Sequence, residues 1–191
     1  RRPRQRGPRL LAGTPARQGL RDTCLPRLPA DVYTRRAWYP ALGFDSLYFD
    51  AELHPVDGHR CGLTMRGTCD WDVAQVLARD IGRAATRALP TLFYWMTLTA
   101  HLPVSPWSAD ENRSVCTGHP PIASDAFVCA WYSTSYRTMQ EIRGLALDAL
   151  PPDAWIVVVG DHPPPFAGRA RRELFAALRV PFLVLRARRA E

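Results

Sequence analysis

WIVVVGDHPPP, residues 155–165, is the stretch that decides the fold class. Trp155, Ile156, Val157, Val158 and Val159 form a short apolar, β-prone run that stops at Gly160, and Asp161 and His162 follow at once. A run this short and uniformly apolar predicts a strand buried on both faces. Pro163, Pro164 and Pro165 can extend neither a ladder nor a helix, so they hold the acid and the imidazole at the strand's carboxyl end. A carboxylate beside an imidazole offers one oxygen and one nitrogen donor to a divalent cation such as zinc or manganese. The same pair also serves elsewhere as a structural ion pair or a helix cap. Two ligands alone do not retain an ion, so further donors have to come from other segments.

Upstream, Leu92-Phe93-Tyr94-Trp95-Met96-Thr97-Leu98-Thr99 is a second apolar run, bounded by Pro90 and Pro103, and it too reads as a strand buried on both faces. His101 lies just past its end. Between the two runs, Ser124 can cap a long helix whose Phe127, Trp131, Met139, Ile142, Ala146 and Leu150 recur at helical spacing up to Pro151. Before them, Asp70 to Leu89 predicts a helix, with Asp70 and Asp72 where acids favour the N-terminal dipole and Val73, Val76, Leu77, Ile81 and Ala84 on one face. A shorter helix, about Arg169 to Leu178, and a last strand, about Pro181 to Leu185, follow. Strands alternating with helices predict an α/β fold, a mostly parallel sheet flanked by helices on both faces. Such sheets bind ligands at the carboxyl ends of their strands, and His101 and the Asp161-His162 pair each occupy such an end.

The first residues read differently. Residues 1–30 hold Arg, Pro and Gly with little periodicity and are assigned as a tail or irregular segment, leaving 31–191 as the α/β domain. From Val32 to Phe49, Tyr33, Trp38, Tyr39, Phe44, Tyr48 and Phe49 crowd around Pro40 and Gly43, which suits a compact loop against a core. Arg35 and Arg36 in that loop can hold a phosphate or sulfate oxygen through the guanidinium fork, or lie as surface cations stacked on rings. His54, His59 and His119 have no partner pattern and are expected to be solvent-exposed.

With 47% hydrophobic residues in 191, the chain can bury one real core. Arg1, Arg2, Arg4, Arg6, Arg9, Arg17 and Arg21 precede the first acid, Asp22, and account for the formal net charge of +7. The remainder is neutral and carries no nucleic-acid motif, so a nucleic-acid partner is not expected. The longest apolar run is about half of the ~20 residues that cross a bilayer, and the Arg-rich start leads into no apolar signal-peptide region. Five cysteines, at 24, 61, 69, 116 and 129, form no CxxC pair. Cys61 and Cys69 enclose one short loop and Cys116 and Cys129 another, which reads as two local disulfides in an oxidising compartment, the alternative being idle thiols in the cytosol. Cys24 is left over.

VYTRRAWYPALGFDSLYF, CGLTMRGTCDWDV, FYWMTLTAHLPV and WIVVVGDHPPPF, in that order, resemble the sulfatase-like group of the alkaline phosphatase superfamily that includes phosphoethanolamine transferases and lipoteichoic acid synthases. The resemblance runs from about Cys24 to Leu185. It implies an alkaline-phosphatase-like fold and a metal-dependent hydrolase or phospho-group transferase acting on sulfate or phosphate esters of envelope glycans or lipids. It implies Asp161 and His162 as ligands of a divalent metal (zinc, manganese or magnesium), His101 as a catalytic contact to the transferred group or leaving oxygen, and Arg35 with Tyr33 as substrate-anion contacts. It implies a periplasmic or extracellular catalytic domain, joined to the membrane only through a segment outside this chain, and it strengthens the two-disulfide reading. The group's early acidic ligand and helix-borne nucleophile find no match here. Thr14 and Thr23 lack the expected upstream strand, so the domain is expected to be N-terminally incomplete. A catalytically inactive binding or scaffold module of the same fold is the competing expectation.

Overall fold

The computed structural model describes residues 21–55, 57–87, 89–104, 114–176 and 178–187. Its elements are β1 (Arg21–Pro26), α1 (Arg35–Leu42), β2 (Ser46–Leu47), β3 (Arg60–Cys61), β4 (Gly67–Thr68), α2 (Asp70–Ala85), β5 (Thr91–Met96), α3 (Pro120–Ala123), α4 (Ala126–Gly144), β6 (Trp155–Val159), α5 (Arg169–Arg172) and β7 (Phe182–Arg186). A π-helical turn, Leu145–Ala149, prolongs α4.

Residues 21–26, expected to be irregular, form the middle strand of the main sheet, whose order is β2-β1-β5 with both neighbours parallel. Residues 1–20 of the expected tail lie outside the described residues. The strand was hidden because Asp22, Thr23 and Pro26 break its apolar pattern. Asp22 is buried nonetheless, its backbone N–H donating to the Asp45 carboxylate at 2.9 Å. Alternation along β1 separates two cores. Leu25 joins Val73, Val76, Leu77 and Ile81 of α2 and Leu145 of the π turn, with Phe93 and Trp95 of β5 packed alongside. Cys24 points the other way, into Tyr39 of α1, Ala30 and Phe49, with Leu47 and Met96. Helices therefore cover both faces of this parallel sheet.

The later strands differ from expectation. In β5 one face is only partly covered; Leu92 and Tyr94 are 49% and 45% exposed, while Met96 packs on the Cys24 core. β6 was expected to be buried throughout, yet Trp155, Val157 and Val159 are 57%, 56% and 62% exposed. It pairs antiparallel with β7, Val157 opposite Val184, instead of joining the parallel sheet. The inward residue Ile156 still packs on the same core as Phe93 and Trp95, so β5 and β6 rest on one helical layer. No ladder joins them among the described residues.

Helix boundaries moved for local reasons. α2 ends at Ala85, short of Leu89. α4 is capped not by Ser124 but by Asp125, whose carboxylate accepts from the N–H groups of Phe127 and Val128 at 3.0 and 3.2 Å. Arg171 donates to the same carboxylate at 2.6 Å and holds its pKa below the usual range. α5 is a single turn, because Arg169, Arg171 and Arg172 give it no apolar face to bury. The aromatic stretch after Val32 is ordered, as expected, but as a helix and a short strand. Both expected disulfides are formed, Cys61–Cys69 and Cys116–Cys129, with Cα atoms 4.9 and 5.9 Å apart. Cys24 is a free, buried thiol that burial pushes up to about 12.

Candidate functional site

The loop that carries His101 is fixed from below. Asp70, the first residue of α2, is completely buried, and its carboxylate accepts from the backbone N–H groups of Leu98 and Thr99 at 3.1 and 2.8 Å. Thr99 Oγ1 accepts in turn from Asp70 N and from Arg27 Nη1, at 2.9 and 2.8 Å. Arg27 is itself fully buried, 3.9 Å from the Asp70 carboxylate, and its second amino group donates to the carbonyls of Cys61 and Met65 inside the first disulfide loop. That loop must lie close: a side chain at Gly67 would collide with the Arg27 carbonyl, and Gly62 sits at φ +89°. Burial raises the Asp70 pKa, opposed by Arg27 and by the hydrogen bonds from Thr99 and Leu98. Sequence reading assigned Asp70 to the helix dipole and did not find this network. The signal available was an acid at a helix start within a cysteine-closed segment.

His101 caps the turn that this network holds, its N–H donating to Leu98 O at 3.0 Å. Its imidazole Nδ1 is buried and has no hydrogen-bond partner among the described residues. The arrangement presents an imidazole whose polar atom is free to meet a further group.

Asp161 and His162 stand at the carboxyl end of β6, 95% and 53% exposed at their side chains. His162 Nδ1 lies 2.9 Å from Pro163 O, an atom that can only accept, so the ring proton sits on Nδ1 and the Nε2 lone pair is free. Nε2 is 3.6 Å from Asp161 Oδ2. Two ligands each about 2.0–2.2 Å from one divalent ion fit that separation, and a carbonyl behind the ligating imidazole is the usual orienting partner. These residues fit a cation, with the remaining donors to be supplied by other groups. Pro163, Pro164 and Pro165, with Arg169, Arg172 and Phe175, line an open groove of about 560 Å³ next to the pair.

Arg35 opens α1 after two non-glycine residues with positive φ, Tyr33 at 56° and Thr34 at 51°. Backbone of that kind is strained and persists only where its surroundings impose it. The guanidinium is buried, 5.4 Å from the Tyr33 ring centre and 5.9 Å from that of Tyr39. One amino group meets Met96 Sδ at 3.5 Å, while Nη1 is buried without a hydrogen-bond partner among the described residues. Tyr33 is exposed, its carbonyl held by Trp38 Nε1 at 3.0 Å. Burial raises the pKa of Tyr94 of β5 first, and then Cys24 and Asp161 raise it while Arg35 lowers it. No hydrogen bond or ion pair joins His101 to Asp161 or His162 among the described residues.

A second group was not anticipated. Asp57, His59 and Asp72 place one potential ligand atom each within 4.8 Å of one another. His59 and His119 are exposed as expected, yet each has a partner, His59 the Asp72 carboxylate and His119 the Tyr132 hydroxyl at 3.1 Å.

No family model and no curated protein sequence matches the chain. Solved structures do. A protein in the alkaline phosphatase superfamily from Vibrio parahaemolyticus superposes with TM-score 0.55 at 15% identity, covering 90% of this chain and 40% of that one. The lipoteichoic acid synthase LtaP from Listeria monocytogenes gives 0.49 at 16% identity, covering 77% and 35%. The phosphoglycerol transferase GacH from Streptococcus pyogenes, in complex with sn-glycerol-1-phosphate, gives 0.48 at 15% identity, covering 82% and 40%. The likeness to the Vibrio protein shows the fold alone, an α/β domain with a parallel sheet and flanking helices. The chain spans roughly two fifths of the length of these structures. No helix among the described residues is long and apolar enough to cross a membrane, and the two disulfides suit an oxidising, non-cytoplasmic compartment.

Proposed function

We propose that this chain carries part of the site of a metal-dependent phospho-group transferase or sulfatase-like hydrolase that acts on phosphate or sulfate esters of envelope glycans or lipids. The supporting observation is Arg35. A guanidinium is always charged, and burying one of its donors without a partner is costly unless an anion completes it. Arg35 Nη1 is such a donor, and the adjacent strained Tyr33-Thr34 backbone keeps it in place.

In this reading Arg35 holds the tetrahedral anion and Tyr33 flanks it. Asp161 and His162 hold a divalent cation, zinc, manganese or magnesium, and His101 meets the leaving or transferred oxygen through its unpartnered Nδ1. When bound, the cation withdraws charge from the ester and steadies the oxyanion. The chain's own residues orient: Pro163 O fixes the His162 tautomer, and Asp70 with Thr99 keeps the His101 turn from shifting. The compartment is the periplasm or the outer face of the cell, with any membrane attachment lying in sequence outside this chain.

Titrating the isotope-labelled chain with inorganic phosphate, with and without manganese, tests the reading. Saturable shifts at Arg35 that vanish in Arg35→Ala, and that manganese strengthens only while Asp161 and His162 are intact, support it. If phosphate leaves Arg35 unmoved, or if Asp161→Asn retains the manganese effect, the reading fails. Binding of both without turnover of a phosphodiester in the protein's full-length form favours a binding module instead.

A further inference from the structure

We infer that Asp57, His59 and Asp72 form a second divalent-cation site, suited to zinc and separate from the Asp161-His162 pair. Asp72 is the third residue of α2, and its carboxylate is completely buried. It accepts from His59 N at 2.6 Å, while both its oxygens lie 3.2 Å from His59 Nδ1. Two ligands of a tetrahedral zinc, each about 2.0–2.1 Å from the ion, stand about 3.3 Å apart. The imidazole and carboxylate are therefore already spaced as a ligand pair. Zinc takes the place of the shared proton, which moves to Nε2 of the same ring, so that neutral imidazole and two carboxylates become the donors. Asp57, exposed two residues before His59 and joined to it through Gly58 at φ +66°, supplies the third, all three atoms lying within 4.8 Å. Water completes the fourth position.

The frame around this cluster is rigid. Cys69 N donates to His59 O at 3.0 Å, and the Cys61–Cys69 disulfide closes the loop between His59 and the start of α2. Two of the three donors are thus held in place before any ion arrives, which reduces the ordering that binding requires. The surrounding charge also favours a cation. Glu141, on α4, has its pKa raised by burial and further by Asp72, against the pull of Arg137. Arg60 donates to the Asp50 carboxylate at 2.6 Å, and Arg137 lies 3.7 Å over the Trp71 ring.

Zinc titration of the full, chelator-treated chain by calorimetry decides the matter. One zinc equivalent is expected to weaken at least tenfold in both His59→Ala and Asp57→Asn, while Asp161→Asn with His162→Ala leaves that equivalent unchanged. Asp57 is exposed, so Asp57→Asn is expected to keep the parent's melting behaviour, which the same samples report, whereas His59→Ala also takes a partner from buried Asp72 and is read only under conditions where melting shows it folded. In the isotope-labelled chain, the His59 ring nitrogen signal is expected to move with that equivalent. The inference is overturned if the chain binds no zinc, if either variant binds as tightly as the parent, or if only the Asp161-His162 change removes the ion. Because the two clusters are changed separately, failure here leaves the proposed transfer site standing, and the converse also holds.

Discussion

The ends of β5 and β6 carry similar chemistry, a histidine just beyond an apolar strand, but they are built in opposite ways. Beyond β5, the turn is held by a buried network in which Asp70, Thr99 and Arg27 bond one another and the backbone of Leu98 and Thr99. Beyond β6, Asp161 is almost wholly exposed, and His162 has one hydrogen bond, to the neighbouring carbonyl. The strands show the same contrast. β5 is bonded to β1, whose Asp22 and Cys24 to Pro26 are buried. β6 rests on the core through Ile156 and turns Trp155, Val157 and Val159 to solvent. A buried network fixes geometry and penalises any missing member. An exposed pair costs little to display and is free to take an ion.

Asp70→Ala is expected to break the first half of that contrast most severely. It leaves Arg27 buried without its counter-charge, and losses of about 3–5 kcal/mol follow from breaking such pairs. Chemical denaturation checks this, and a change under about 0.5 kcal/mol, typical of surface positions, would mean that Asp70 does not organise the turn.

Next in size, Leu25→Ala empties part of a packed core and is expected to cost about 2–5 kcal/mol. Val157→Ala, on the exposed face of β6, is expected to stay within about 0.5 kcal/mol. Comparing the two by urea denaturation sharpens the distinction between strands. If Val157→Ala destabilised as strongly as Leu25→Ala, its outer face would have to be covered in solution.

The smallest effect concerns the cap of α4. Arg171 lowers the Asp125 pKa in the folded chain, so the pair's contribution is present above the unfolded aspartate value of about 3.9 and is lost as the pH falls through the folded value. A modest drop in melting temperature below about pH 4 that disappears in Asp125→Asn is expected. An unchanged acid profile in that variant would show that the cap adds nothing measurable.

Much of the fold was legible because it depends on local pattern. The helical spacing of Val73, Val76, Leu77 and Ile81 marked α2, the apolar runs marked β5 and β6, and the loop-closing cysteines marked both disulfides. β1 was not legible, since the backbone N–H of its buried Asp22 finds an acceptor on Asp45, a residue more than twenty positions away. Ser124 and Asp125 are both good caps by type, and only Arg171, which reaches Asp125 from α5, shows which of them is used. The candidate ligands Asp161, His162 and His101 were placed at strand ends by sequence. Their supports were not, because Asp70 and Asp72 look alike as acids in a helix's first turn until the fold brings Thr99 to one and His59 to the other.

By itself, the amino-acid sequence determined the main helices and the strands β5, β6 and β7, where the chemically capable side chains stand along them, and which cysteines are near enough to pair. These follow from periodicity and from contacts a few residues apart. The tertiary structure alone decided which apolar faces are covered, that β6 pairs with β7 and not with β5, and which charged groups are buried with partners. Those outcomes depend on groups distant in the chain meeting in a low-dielectric interior, where an unpaired charge cannot be tolerated and a paired one fixes the local geometry.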